Sequence, residues 1–140
     1  MQQAAKVEAV QMRSENGKYH TIRFSLFQRQ GNANYKDVAS VAPNLKELIE
    51  LYLMVSHRKP QEKVVISRQG KSLLVEEANT GSKPGIVMAA MNNGDGSYPQ
   101  VTVVLPPPQC VYLSGIVLGC IAMNMGCDHS TANNLINRWY

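Results

Sequence analysis

Each half of this chain ends in an apolar helix that follows a run of strand-like segments. The first half closes with NLKELIELYLMVSHR, Asn44–Arg58. The second closes with QCVYLSGIVLGCIAMNM, about Gln109–Met125. Strands bury alternate residues and helices bury a stripe of period 3.6, so the order of the two periods restricts the fold. Two sheet-then-helix units predict an α+β domain of antiparallel sheets, with two pseudo-repeated strands-then-helix halves. The repeat is one of order, because residue identity between the halves is poor. The reading is one domain over residues 1–140: half 1 about 1–60, half 2 about 61–127, and a tail at 128–140.

Turn chemistry sets the segment boundaries. Lys6–Arg13 reads as a strand, and Glu15-Asn16-Gly17-Lys18 as a tight hairpin turn, since Asn-Gly suits positive φ. Tyr19–Arg29 is the clearest strand, and Tyr35–Val41 is a third. Asn44 can cap the first helix, with Glu47 completing a capping box. Its stripe is Leu45, Leu48, Ile49, Tyr52, Leu53 and Val55. His57, Arg58 and Lys59 suit the helix C-terminus, and Pro60 stops it. In the second half, Lys63–Arg68, Ser72–Glu77, Ile86–Met91 and Val101–Leu105 read as strands, with residues 78–85 as an exposed loop. Gly126 is the expected C-cap of the closing helix, and Asp128 or Ser130 starts a short tail helix.

Charge is divided unevenly. Twelve of the fourteen Lys/Arg lie in residues 1–71, beside six of the ten acidic residues. Such asymmetry suits an anionic partner, although it also suits an ordinary solvated surface. Charged residues make up 17% of the chain, below the usual quarter or so, which argues against disorder. Cys110, Cys120 and Cys127 are odd in number, and MQQAAKVEAV lacks the pattern of a secretory leader. A reducing, intracellular location, cytoplasm or nucleoid, is expected. Gly96–Cys127 carries no charge, which raises a membrane span as an alternative. Pro106-Pro107-Pro108, Ser114, Asn124 and the glycines interrupt it, and no basic flank marks one side, so no membrane association is expected.

The strand Tyr19–Arg29 has two unlike faces. His20, Ile22, Phe24, Leu26 and Gln28 form a core face. Tyr19, Thr21, Arg23, Ser25, Phe27 and Arg29 form the other, where aromatic, hydroxyl and basic groups alternate. A single-stranded nucleic acid needs cations for its phosphates and aromatic rings for its unstacked bases. Arg13, Arg23, Arg29, Lys18, Lys36, Lys63, Arg68 and Lys71 are the candidate phosphate contacts. Tyr19 and Phe27 are the candidate stacking rings, with Tyr35 a weaker one. The plainer alternative is a solvent-facing sheet surface or a protein contact.

Strands followed by a helix, twice, resembles the Whirly family of single-stranded DNA-binding proteins and the single-strand-binding transcriptional coactivators related to it. Gln69-Gly70-Lys71-Ser72-Leu73-Leu74-Val75 is similar to a Lys-Gly-Lys-Ala-Ala-Leu-Ser-type motif of plant Whirlies. GDGSYPQVTVVLPPPQCVYLSGIVLGCI is similar in layout to a last Whirly hairpin strand leading into the closing helix. The resemblance implies splayed sheets with the helices at the centre, binding of single-stranded DNA, and a homo-oligomer, dimer or tetramer, assembled through helices.

Catalytic and metal chemistry finds little support. Cys120, Cys127 and His129 lack the spacing of a zinc site, and His20, His57 and His129 lie in no nucleophile motif. The glycine-containing loops 81–85 and 94–96 match neither dinucleotide nor nucleotide-phosphate patterns. Glu47/Glu50 and Glu76/Glu77 fit a helix face and a strand end. No cofactor and no enzymatic activity are expected. The expected function is single-stranded nucleic-acid binding, DNA with RNA as the alternative, by an oligomer in replication, recombination or transcription. The rival readings are an adaptor that binds proteins through its apolar helix and exposed strand, an OB-fold single-strand binder, and an enzyme of unrecognised type.

Overall fold

The structure is a computed structural model. It describes residues 3–15, 17–29, 35–56, 63–68, 70–80, 83–92 and 101–140. The described residues form β1 (Gln3–Ser14), β2 (Gly17–Arg29), β3 (Tyr35–Val41), α1 (Leu45–Val55), β4 (Val64–Arg68), β5 (Lys71–Thr80), β6 (Lys83–Asn92), β7 (Val101–Leu105), α2 (Pro107–Met125) and α3 (His129–Trp139). Sheet A has the order β1-β2-β3 and sheet B the order β4-β5-β6-β7, and every pairing is antiparallel. The expected α+β layout, with a helix closing each half, is present.

Local chemistry accounts for the element ends. Ser14 pairs with Gly17 across the first hairpin, and Gly17 adopts φ 111, which a residue with a Cβ disfavours. Asn44 caps α1: its Oδ1 accepts from the Glu47 N–H at 2.9 Å, and its own N–H donates to Glu47 Oε1 at 2.9 Å. α2 starts earlier than expected, at Pro107, because proline in a first turn sacrifices no hydrogen bond. Gly126 closes α2 in the left-handed region, as expected, with its N–H directed to the Met123 carbonyl. Asp128 caps α3 through the Thr131 N–H, and that bond holds its carboxyl below the usual range.

Three expectations need correction. The segment 78–85 is mostly strand rather than loop: β5 and β6 pair out to Thr80 and Lys83, prolonging one ladder. α1 ends at Val55 with Ser56 as its cap, so it stops short of Arg58. His57, Arg58 and Lys59 lie outside the described residues. Leu45, assigned to the buried stripe, is about half exposed at the first turn of α1.

One buried cluster draws on both halves. Ile22, Phe24 and Leu26 of β2 meet Leu48, Leu51 and Met54 of α1, Ile66, Leu73 and Val75 of sheet B, and Leu113, Val117 and Ile121 of α2. α1 touches both sheets and α2. β3 ends at Val41, opposite Phe24, so β2 runs on toward Gly17 with no further β3 partner. α2 supplies the missing partners there. The His20 N–H donates to Asn124 Oδ1 at 2.6 Å, and Asn124 Nδ2 donates to the His20 carbonyl at 2.7 Å. The Cys120 thiol donates to the Thr21 carbonyl at 3.5 Å. The Tyr52 hydroxyl donates to Asn133 Oδ1 at 2.8 Å and ties α1 to α3.

The Asn124 amide replaces two backbone hydrogen bonds at once. Asn124→Ala is expected to lower unfolding stability by about 1–3 kcal/mol, because both groups of His20 lose their partner in a part-buried place. Denaturant unfolding measures it, and an unchanged midpoint would show that apolar contact alone docks α2.

Candidate nucleic-acid interface

Alternation and register define the face of sheet A that turns away from the core. On β2 this face carries Tyr19, Thr21, Arg23, Ser25 and Phe27, since Ile22, Phe24 and Leu26 are buried on the other side. Pairing of Lys6 with Ser25, Glu8 with Arg23, and Met12 with Tyr19 places those β1 residues on the same face. The expected core face of this strand matches the burial of Ile22, Phe24 and Leu26.

The outer face is not evenly open. Arg23 is exposed, Tyr19 and Phe27 are half-buried, and Thr21 and Ser25 are buried. The Thr21 hydroxyl donates to the Pro43 carbonyl at 2.6 Å, and the Ser25 and Ser40 hydroxyls bond each other at 2.6 Å. These short side chains sit on the central strand of sheet A, buried and hydrogen-bonded to the strand beside it and its exit. The result is a satisfied polar floor from which Arg23 and Lys6 project, with Tyr19 and Phe27 at its two ends.

The remaining candidates divide by location. Arg13 and Lys18 are exposed and directly opposite each other at the β1–β2 hairpin end. Their register puts them on the core-side face, opposite to Tyr19 and Arg23. Lys63, beside β4, is exposed and ion-paired to Glu76 at 3.7 Å. Lys71 lies half-buried at the start of β5, opposite Arg68. Arg29, Tyr35 and Lys36 belong to β2 and β3, with Arg29 opposite Tyr35 and Gln28 opposite Lys36, and their side chains lie outside the described ones.

Arg68 has a structural task. Its guanidinium grips the Glu47 carboxylate through both nitrogens, and Nη1 also donates to the Ser67 carbonyl at 2.7 Å. Glu47 therefore serves the cap of α1 and the end of β4 together, which joins the first helix to the second sheet. The same carboxylate was legible as a capping residue, but its partner lies 21 positions away and no sequence period links the two. Lys6, Glu8 and Asn124 are further residues that sequence reasoning missed. Counting outward from Asn16-Gly17 as the two turn residues would pair Glu15 with Lys18 and set Glu8 opposite Ser25 and Lys6 opposite Phe27. The face is right, but the observed pairing of Ser14 with Gly17 moves each partner by two positions, to Arg23 and Ser25.

Two other surfaces bear on chemistry. α2 buries Cys110, Leu113, Val117, Cys120 and Ile121 but exposes Val111 (71%), Tyr112 (75%), Ile116 (40%) and Met123 (60%). The helix is therefore only partly buried within its own chain, and a broad apolar stripe faces outward. By length and composition alone, α2 is also long and apolar enough to cross a bilayer. An apolar cleft of about 440 Å³ opens between Ile49, Met125, Leu135 and Trp139. Burial pushes the Cys110 and Cys120 thiols up, so both are held as neutral thiols. Among the described residues, no group of three or more His, Cys, Asp or Glu is placed to hold a metal.

No protein-family model and no curated protein matches the sequence. Solved structures do match the fold. WHY1 from Arabidopsis thaliana superposes with a TM-score of 0.58 at 16% identity, covering 95% of this chain and 84% of that one. WHY3 from Arabidopsis thaliana gives 0.59 at 13%, covering 96% and 89%. The plant transcriptional regulator PBF-2 gives 0.61 at 13%, covering 95% and 82%. These are Whirly proteins, and the architecture of this chain is Whirly-like, as its layout suggested.

Arg68→Ala is expected to destabilise the protein by about 1 kcal/mol, since the pair is part-exposed but doubly hydrogen-bonded. Thermal unfolding reads this loss. A variant as stable as the native protein would return Arg68 to the pool of cations available for a ligand.

Proposed function

We propose that this protein binds single-stranded nucleic acid on the outer face of sheet A, as a binding protein rather than an enzyme. The observation that carries this reading is Arg23 standing exposed on β2 between half-buried Tyr19 and Phe27, each four residues away on the same face. A strand advances about 3.3 Å per residue, so each ring stands about 13 Å from the cation along β2. An extended strand can lay its phosphates near Arg23 and Lys6 while bases reach the rings. Stacking and charge carry little base information, so sequence preference is slight. DNA is the first choice and RNA the alternative. Arg29 and Tyr35 would extend the path at the far end of the sheet, and Arg13, Lys18, Lys36, Lys63 and Lys71 would serve a strand that wraps an edge. The Whirly-like fold supports this class, and the likeness to PBF-2, a plant transcriptional regulator, favours transcription over replication or recombination. The whole chain acts as one folding unit in a soluble intracellular setting, cytoplasm or nucleoid.

Its partner on α2 is a second copy of the same chain, giving a dimer or tetramer. Val111, Tyr112, Ile116 and Met123 leave more apolar surface outside than a helix of a finished core would. The adaptor reading rests on this same stripe. It also predicts assembly, but it predicts no salt-sensitive affinity for nucleic acid.

Fluorescence anisotropy with a labelled single strand at two salt concentrations tests the nucleic-acid reading. Arg23→Ala should weaken binding and reduce the slope of log affinity against log salt by about 0.7. Phe27→Ala should weaken it by about 1–3 kcal/mol with the salt slope unchanged. No binding by the native protein at low salt would leave the adaptor reading in possession. For assembly, light scattering after size exclusion should return a multiple of 15.5 kDa, and Ile116→Glu should shift it toward the monomer. A native monomer at micromolar concentration would remove the proposed role of α2.

A further inference from the structure

Glu8 is a carboxylate in the middle of the cations on the outer face of sheet A, while Asp37 of β3 holds the register position opposite Phe27 at the far end of that face. Glu8 lies directly opposite Arg23 in the β1–β2 register, where Cβ atoms are about 4.5–5.5 Å apart. It is ion-paired at 3.5 Å to Lys6, its neighbour on the same face of β1. Lys6 in turn lies opposite Ser25. Arg23 makes no ion pair among the described residues, so Glu8 is the described anion set against it across the strand pair. Both side chains of the Lys6–Glu8 pair remain open to solvent, and such exposed pairs hold weakly.

We propose that Glu8 is a specificity-determining residue of this face, a resident competitor for phosphate that favours single strands over duplex. The inference rests on the nucleic-acid reading of sheet A. A phosphate arriving at Lys6 must displace a carboxylate already bound there, and one arriving at Arg23 meets a like charge across the ladder. Binding through phosphates alone is thereby weakened. A single strand recovers affinity through bases stacked on Tyr19 and Phe27, which lie beyond the reach of this carboxylate along β2. A duplex keeps its bases stacked inside and offers the face mainly phosphates, at a charge density of about one per 1.7 Å. The same anion therefore costs a duplex more than it costs a single strand.

The test compares Glu8→Gln with Glu50→Gln. Glu50 lies on α1, where it pairs with Lys46 at 3.8 Å, so its loss changes the net charge equally away from this face. Each protein is titrated by anisotropy with a single strand and with a duplex of equal length, over a range of salt. Glu8→Gln should tighten single-strand binding about threefold and duplex binding by a larger factor. Its salt slope should steepen by up to about 0.7 for the single strand and 0.9 for the duplex. Glu50→Gln should change neither ligand appreciably. Unchanged affinities in Glu8→Gln, an equal gain in Glu50→Gln, or a duplex gain no larger than the single-strand gain would each overturn the role of Glu8. Absence of single-strand binding by the native protein would instead overturn the reading on which it rests.

Discussion

The end of β3 at Val41 leaves part of a central strand without a neighbour, and the fold is organised around filling that place. Backbone groups in a part-buried position need hydrogen-bond partners. Asn124 supplies two to His20, and the Cys120 thiol reaches the Thr21 carbonyl. Those bonds fix both the rotation and the position of α2 against β2. Once the side bearing Cys110, Leu113, Val117 and Ile121 is turned inward, Val111, Tyr112 and Ile116 must face out. One local deficiency in sheet A thus decides which residues of an almost uniformly apolar helix remain outside.

The cations are sorted by the same tertiary arrangement. Arg68 looks like Arg23 in the sequence, since both are basic residues on strands. Arg68 ends β4 within reach of the first turn of α1, and Glu47 takes it. Arg23 stands on the opposite side of its sheet from the helices and keeps its guanidinium exposed. Lys63 meets Glu76 across the β4–β5 pair, and Lys6 meets Glu8 along β1. The basic first half read from composition resolves into cations that hold the fold and cations that remain accessible.

Much of the architecture was legible because it depends on local chemistry. β3 and β7 fall where β-branched residues and flanking turns put them, and the Asn44–Glu47 box and the Gly126 cap are satisfied by near neighbours in the chain. The 78–85 segment was misread because its Gly and Pro signal a break. A long ladder between β5 and β6 overrides that signal out to Thr80 and Lys83. For the site, alternation along β2 was enough to separate Ile22, Phe24 and Leu26 from Tyr19, Arg23 and Phe27. It was not enough to show that Thr21 and Ser25 would be buried on the outer face, because Pro43 and Ser40 come from another strand and its exit.

Periodicity and turn residues in the sequence therefore determined the order of elements, the two halves and the inward side of β2. Those properties arise from interactions between residues a few positions apart. Tertiary structure alone decided that Asn124 completes the edge of β2, that Arg68 belongs to α1, that Glu8 faces Arg23, and which side of α2 is left uncovered. Each of these depends on a meeting between distant segments, where hydrogen-bond satisfaction and packing select one partner from many that the sequence treats alike.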